Sequence, residues 1–190
     1  LFAFRNAMLF GKCAGTVTEL PLLHRATLTL EEREIPQEDQ ANALRKLGNV
    51  QRKKGNIEQA ITMYNESLKI SRAINNRHLE AKSLNNLGLC ATVRGDLEEA
   101  VRYHRESLAI KRVVGDRQGE AISLNNLGNI ELARGAVEEA TRFIETSLVI
   151  KREIGDKKGE ATSMMTLWEI AKDRNDFISA AAVYKEVHSI

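Results

Sequence analysis

The chain has 190 residues, 43% apolar and 28% charged, an ordinary composition for a globular protein. Its 28 basic and 26 acidic residues leave a formal net charge of +2, without the basic excess of a dedicated nucleic-acid binder. No apolar run approaches the ~20 residues needed to span a bilayer, so no membrane partner is expected.

Cys13 and Cys90 lie far apart and form no CxxC pair. They read as reduced thiols of an intracellular, cytoplasmic protein. Leu1 to Phe10 is apolar but interrupted by Arg5-Asn6, with no small-residue cleavage site after it, so no signal peptide is expected. The first residue is not Met, which reads as a fragment or a processed product.

In chain order, residues 1–40 come first and look irregular. They read as a degenerate repeat or as a leader. Phe4, Asn6, Phe10 and Gly15 fall in the columns of the clearer repeats that follow, which favours the first reading. Pro21 would sit a turn inside the second helix of that unit, so that helix should start late, near the proline. Residues 41–80 form the first clear unit. Leu44, Leu47 and Gln51 are helically spaced, and Gly55-Asn56 breaks the helix. A second helix is predicted from about Ile57 to Ile74, ended by Asn75-Asn76 in a left-handed turn.

The next unit, 81–120, repeats the design. Ser83-Leu84-Asn85-Asn86-Leu87-Gly88 recurs 40 residues later as Ser123-Leu124-Asn125-Asn126-Leu127-Gly128. Residues 81–120 and 121–160 agree at 22 of 40 positions, and a fixed period of this length is the mark of a solenoid. Asp96 is predicted to cap the helix starting at Leu97, and Glu98 to pair with Arg102 at i, i+4. Gly115-Asp116 and Gly155-Asp156 are predicted to end one helix and cap the next. The last unit, 161–190, is partial: Trp168 replaces the first-helix glycine and Asn175 the turn glycine. An atypical terminal unit is expected of a repeat array.

A first-helix Leu-Gly, a turn glycine seven residues on and an early alanine in the second helix occur as Leu47-Gly48…Gly55…Ala60. The same spacing appears in Leu87-Gly88…Gly95…Ala100 and Leu127-Gly128…Gly135…Ala140. This pattern resembles the tetratricopeptide repeat, whose usual unit has ~34 residues. The 40-residue unit resembles the long-repeat subclass found in the LGN/Pins polarity adaptors, in kinesin light chains and in many bacterial multi-repeat proteins. The resemblance implies an all-α, right-handed solenoid of helical hairpins. The glycine and alanine columns should let paired helices approach closely, and Leu47, Leu87 and Leu127 should be buried between helices.

No constellation for catalysis is visible, and neither an enzyme, a cofactor nor a metal is expected. The four histidines, His24, His78, His104 and His188, have no metal-ligand spacing, and there is no phosphate-binding loop. His24 and His104 share a column with Tyr64 and Tyr184, which predicts a packing role.

The resemblance implies that first helices line a concave face that binds a partner peptide or protein. By column, its lining is Asn42, Arg45, Asn49 and Arg52, then Lys82, Asn85, Leu89 and Thr92, then Ile122, Asn125, Asn129 and Leu132, and in the last unit Thr162, Met165, Glu169 and Lys172. Asn side chains there could clamp peptide amides. Asn86 and Asn126 are instead expected to bond neighbouring backbone within the solenoid. Arg45, Lys46, Arg52, Lys53 and Lys54 make one end basic, so an acidic segment of the partner is expected near residues 45–54. Two further roles stay open: a sensor or regulatory region of a larger signalling protein, and a homo-oligomer formed through end helices, with Trp168 as a sticky surface.

Overall fold

The structure is a computed structural model, and it describes residues 35–176 and 178. Among these residues there are seven α-helices and no strand. They are α1 (Gln37–Lys53), α2 (Ile57–Ala73), α3 (Arg77–Arg94), α4 (Leu97–Val113), α5 (Arg117–Ala133), α6 (Val137–Glu153) and α7 (Lys157–Asp173). The readings of residues 1–34, including Pro21, His24 and Cys13, lie outside the described residues, as do those of Tyr184 and His188.

The connections follow from local chemistry. Gly55 (φ +84°), Gly95 (φ +84°), Gly115 (φ +70°), Gly135 (φ +79°) and Gly155 (φ +70°) take the left-handed conformation that a turn this tight requires. Asn75 (φ 53°) and Asn175 (φ 56°) take it where no glycine is present, as Asn does more readily than other residues. The Asn76, Asp116 and Asp156 side chains then cap α3, α5 and α7 by accepting from Leu79 N, Gly119 N and Gly159 N. Asp96 does not cap α4 with its side chain. Its carboxylate instead pairs with Arg94 at 3.2 Å.

Within each hairpin the glycine column is a contact point. A Cβ on Gly48 would lie 2.6 Å from the Tyr64 ring, one on Gly88 2.7 Å from His104, and one on Gly128 2.6 Å from Ile144. Glycine is therefore needed for the close approach of paired helices, and Ala60, Ala100 and Ala140 are fully buried beside it. A serine on each second helix ties the pair further. Ser67, Ser107 and Ser147 Oγ donate to the carbonyls of Ala41, Ala81 and Ala121, each at 2.8 Å.

Between hairpins, each second helix packs on the next first helix. Ala60, Tyr64 and Leu68 of α2 cluster with Leu84, Leu87 and Cys90 of α3. Ala100, Val101 and Leu108 of α4 cluster with Leu124, Leu127 and Ile130 of α5. Leu87 and Leu127 are buried as expected, but Leu47 is 51% exposed. The reason is positional: the leucine is covered by the second helix of the preceding hairpin, and α1 is the first described helix.

Two ladders of ion pairs run along the stack. Arg72–Glu80 (2.9 Å), Arg112–Glu120 (2.8 Å) and Arg152–Glu160 (2.8 Å) join each second helix to the next first helix. Each glutamate is buried, at 4%, 7% and 5% exposure, so the paired arginine removes the cost of an isolated charge. At the opposite end of the helices, Arg94–Glu58 (3.7 Å), Arg134–Glu98 (3.2 Å) and Arg174–Glu138 (3.3 Å) join consecutive hairpins. Glu98 thus pairs across a junction and not with Arg102, which pairs with Glu99 at 3.1 Å.

Candidate interaction face

The first helices α1, α3 and α5 carry the residues expected to line the binding face. On α1, Arg45 Nη2 donates to Asn42 Oδ1 at 3.3 Å. Asn49 Oδ1 accepts from the Tyr64 hydroxyl (2.8 Å) and from Asn86 Nδ2 (3.1 Å). Burial raises the Tyr64 hydroxyl above its ordinary range, and Arg52 beside it pulls it back down. The Nε atoms of Arg45 and Arg52 are both buried without a hydrogen-bond partner.

Asn86 and Asn126 bond side chains of the preceding hairpin, not backbone. Asn86 Nδ2 reaches Asn49 Oδ1, and Asn126 Nδ2 reaches Asn85 Oδ1 at 3.4 Å. The Asn column therefore stitches first helix to first helix along the face.

The second helices also reach this face, which reading first helices alone missed. Lys111 Nζ donates to Asn85 Oδ1 (3.5 Å) and to Ser123 Oγ (2.9 Å). Lys151 Nζ donates to Asn125 Oδ1 (3.2 Å) and to Ser163 Oγ (2.6 Å). Both lysines are buried, at 3% and 5% exposure, and both have neutral partners. Burial lowers the Lys111 ammonium to about 8, with Asp116 opposing the shift and Lys82 adding to it. Burial lowers Lys151 too, opposed by Asp156. The signal was present in sequence: Ile110-Lys111-Arg112 recurs as Ile150-Lys151-Arg152 at the 40-residue period.

These bonds orient the amides. A lysine can only donate, so Asn85 and Asn125 must turn Oδ1 toward it. Tyr64 and Asn86 hold Oδ1 of Asn49 in the same way. With the carbonyls committed inside the solenoid, each amide offers its NH2 group as the remaining end. The face is thus polarised toward hydrogen-bond donors.

A pocket of about 450 Å³ opens between α3 and α5. It brings together Arg45, Lys82, Asn85 and Ile122 of the expected set with Lys111. Asp116 is the one carboxylate among its lining residues. Arg52, Asn125 and Asn129 do not line it. Asn125 belongs to the next junction, and Asn129 is exposed. At the far end Glu169 and Asp173 are exposed on α7, and Lys172 Nζ lies 5.2 Å over the half-buried Trp168 ring. Among the described residues no group of His, Cys, Asp and Glu could hold a metal, and no helix is long and apolar enough to cross a membrane.

No curated protein sequence matches the chain. Among solved structures, BtubC from P. vanneervenii is 22% identical with a TM-score of 0.75, covering 90% of this chain and 72% of its own. A Rap protein complexed with Competence and Sporulation Factor is 18% identical with a TM-score of 0.74, and the match covers 86% of this chain and 45% of the Rap chain. A putative kinesin light chain of Podosopora anserina with nearly identical TPR-like repeats is 16% identical with a TM-score of 0.68, over 81% of this chain and 76% of that one. These likenesses show the fold. Two tetratricopeptide-repeat family models match residues 39–112 and 121–154, together more than half of the sequence. With the helical hairpins, turn glycines and small-residue columns described above, they establish that the chain belongs to the tetratricopeptide-repeat family.

Proposed function

We propose that the chain is a non-catalytic scaffold whose first-helix face holds an acidic segment of a protein partner. Tetratricopeptide arrays offer an extended surface built from repeated units, which suits recognition better than chemistry. The observation that carries the acidic preference is the polarity of the face. Three amides have their carbonyls committed inward, and Arg45, Arg52 and Lys82 stand on the same face. Donors and cations without matching acceptors recruit carboxylates, and the charge complementarity acts mainly on register and association rate.

The test is fluorescence anisotropy with a labelled Asp/Glu-rich peptide, titrated at two salt concentrations. Arg45→Glu and Arg52→Glu together should weaken binding by about tenfold or more and flatten its salt dependence. Unchanged affinity and an unchanged salt slope would sink the reading. A second reading is a regulatory region of a longer protein. It is supported by the Rap protein, of which the match covers 45% and which is complexed with Competence and Sporulation Factor.

A further inference from the structure

We infer that Lys111 is a covalent capture site for small aldehydes carrying an anionic group, formed at the pocket between α3 and α5. The pocket holds about 450 Å³, enough for a small molecule, and Lys111 is part of its wall. The amine is held by Ser123 Oγ at 2.9 Å and Asn85 Oδ1 at 3.5 Å. Both are neutral groups. An ammonium without a carboxylate contact gives up its proton more easily than a paired one, and the lowering of Lys111 to about 8 agrees. The neutral amine is the nucleophile, and an apolar or cation-rich surrounding is the usual means of activating it.

The same wall carries the anion recognition. Arg45 and Lys82 line the pocket with Lys111. The Nε of Arg45 is buried and without a hydrogen-bond partner. The one lining carboxylate, Asp116, is engaged by Gly119 N at 2.8 Å as the cap of α5. Ile122, 44% exposed, supplies an apolar surface for the body of the ligand. Shape, nucleophile and counter-charge therefore converge on one cavity.

The step balances without a redox partner. The Lys111 nitrogen lone pair attacks the aldehyde carbon, forming a C–N bond and a carbinolamine. The amine's protons pass to the former carbonyl oxygen, which leaves as water, and an imine remains. Ser123 Oγ, at hydrogen-bond distance from the amine, is placed to relay a proton. Capture at this position would place an anionic molecule on the face used for partner binding.

The test uses the intact chain with three probes: pyridoxal 5′-phosphate, glyoxylate and the uncharged pyridine-4-carboxaldehyde. Imines are trapped with borohydride and located by peptide mass mapping. The expected result is preferential labelling of Lys111 by an anionic probe, at least tenfold faster than exposed lysines such as Lys54 and Lys158. Preference for pyridoxal 5′-phosphate assigns the site to phosphates, and preference for glyoxylate to carboxylates. Lys82→Ala should slow anionic labelling of Lys111 several-fold more than labelling by the neutral probe, which feels only the loss of the nearby positive charge. Labelling spread evenly over surface lysines, or equal rates with charged and neutral probes, overturns the inference. These readouts come from the parent chain and the exposed Lys82 variant, so they do not depend on a core substitution folding, nor on peptide binding.

Discussion

The α2–α3 junction and the α4–α5 junction meet the same packing requirement with different residues. At the first, Ser71 lies buried in the last turn of the second helix, Asn76 caps the next helix, and Leu79 is buried at 4% exposure. At the second, the same columns hold Lys111, Asp116 and Gly119. A Cβ on Gly119 would lie 2.2 Å from Asp116 Oδ2 and 2.9 Å from Lys111 Cδ. The lysine stem thus occupies the space that Leu79 fills at the first junction, and the aspartate supplies charge that asparagine lacks. The α6–α7 junction repeats the second solution with Lys151, Asp156 and Gly159. Three positions thus change as a set, a polar bridge standing in place of an apolar plug.

The largest expected effect comes from mixing the two solutions. Gly119→Leu with Lys111 retained should cost about 3 kcal/mol, since the new side chain meets the lysine stem and the cap. Adding Lys111→Ser and Asp116→Asn, which transplants the first junction, should bring stability back to within about 1 kcal/mol of the parent. Urea titrations of the single and triple variants would show this; a harmless single variant would break the comparison.

The next effect contrasts hairpins. His104 is fully buried opposite Gly88, both ring nitrogens lack partners, and its pKa falls to about 4, chiefly through burial. Between pH 6.5 and 4 the unfolded chain therefore binds a proton that the folded chain refuses. Stability should be full above pH 6.5 and fall by about 3 kcal/mol as pH drops through that window. His104→Ile, which copies Ile144 opposite Gly128, should remove this contribution. Stability measured across the acid range separates the two; identical profiles for parent and variant would count against a neutral, buried His104.

Smaller still is the serine tie. Ser107→Ala removes the hydroxyl that donates to the Ala81 carbonyl from the paired helix and should cost about 1 kcal/mol. Ser147→Ala should match it, because the geometry at Ala121 is the same. Unequal losses would show that the hairpins are less alike than their bonds. The smallest effect belongs to the exposed ladder. Arg94→Ala removes contacts to Glu58 and Asp96 and should cost about 0.5 kcal/mol or less, shrinking with salt.

The period, the turn glycines and the glycine–alanine contact were legible because each is a local requirement repeated at fixed spacing. Gly88 must be glycine for His104 to fit, and that constraint leaves a mark at one column in every unit. The face was legible only in part. Lys111 and Lys151 sit on second helices, and a lysine in an amphipathic helix reads as solvated surface. Only the paired Asn85 and Ser123, 26 and 12 residues away, reveal that its amine sits at the junction between hairpins. Leu47 shows the converse. Its column predicts burial, but burial depends on a neighbour as well as a pattern, and the helix that covers Leu87 has no described counterpart before α1. Glu98 had two partners at plausible spacing, and sequence separation alone favoured Arg102 over the Arg134 that the stack brings near.

The stitching bonds have a kinetic consequence. The Asn126–Asn85 bond joins residues 41 apart, and the Ser–Ala ties join residues 26 apart. Short loops close quickly and at small entropic cost, so a chain wired in this way has a low contact order. Folding can begin at any hairpin and spread by docking its neighbours, with no distant partner to await. Under mechanical load the same wiring predicts a sawtooth, each peak marking one hairpin pulled from the stack while the rest hold.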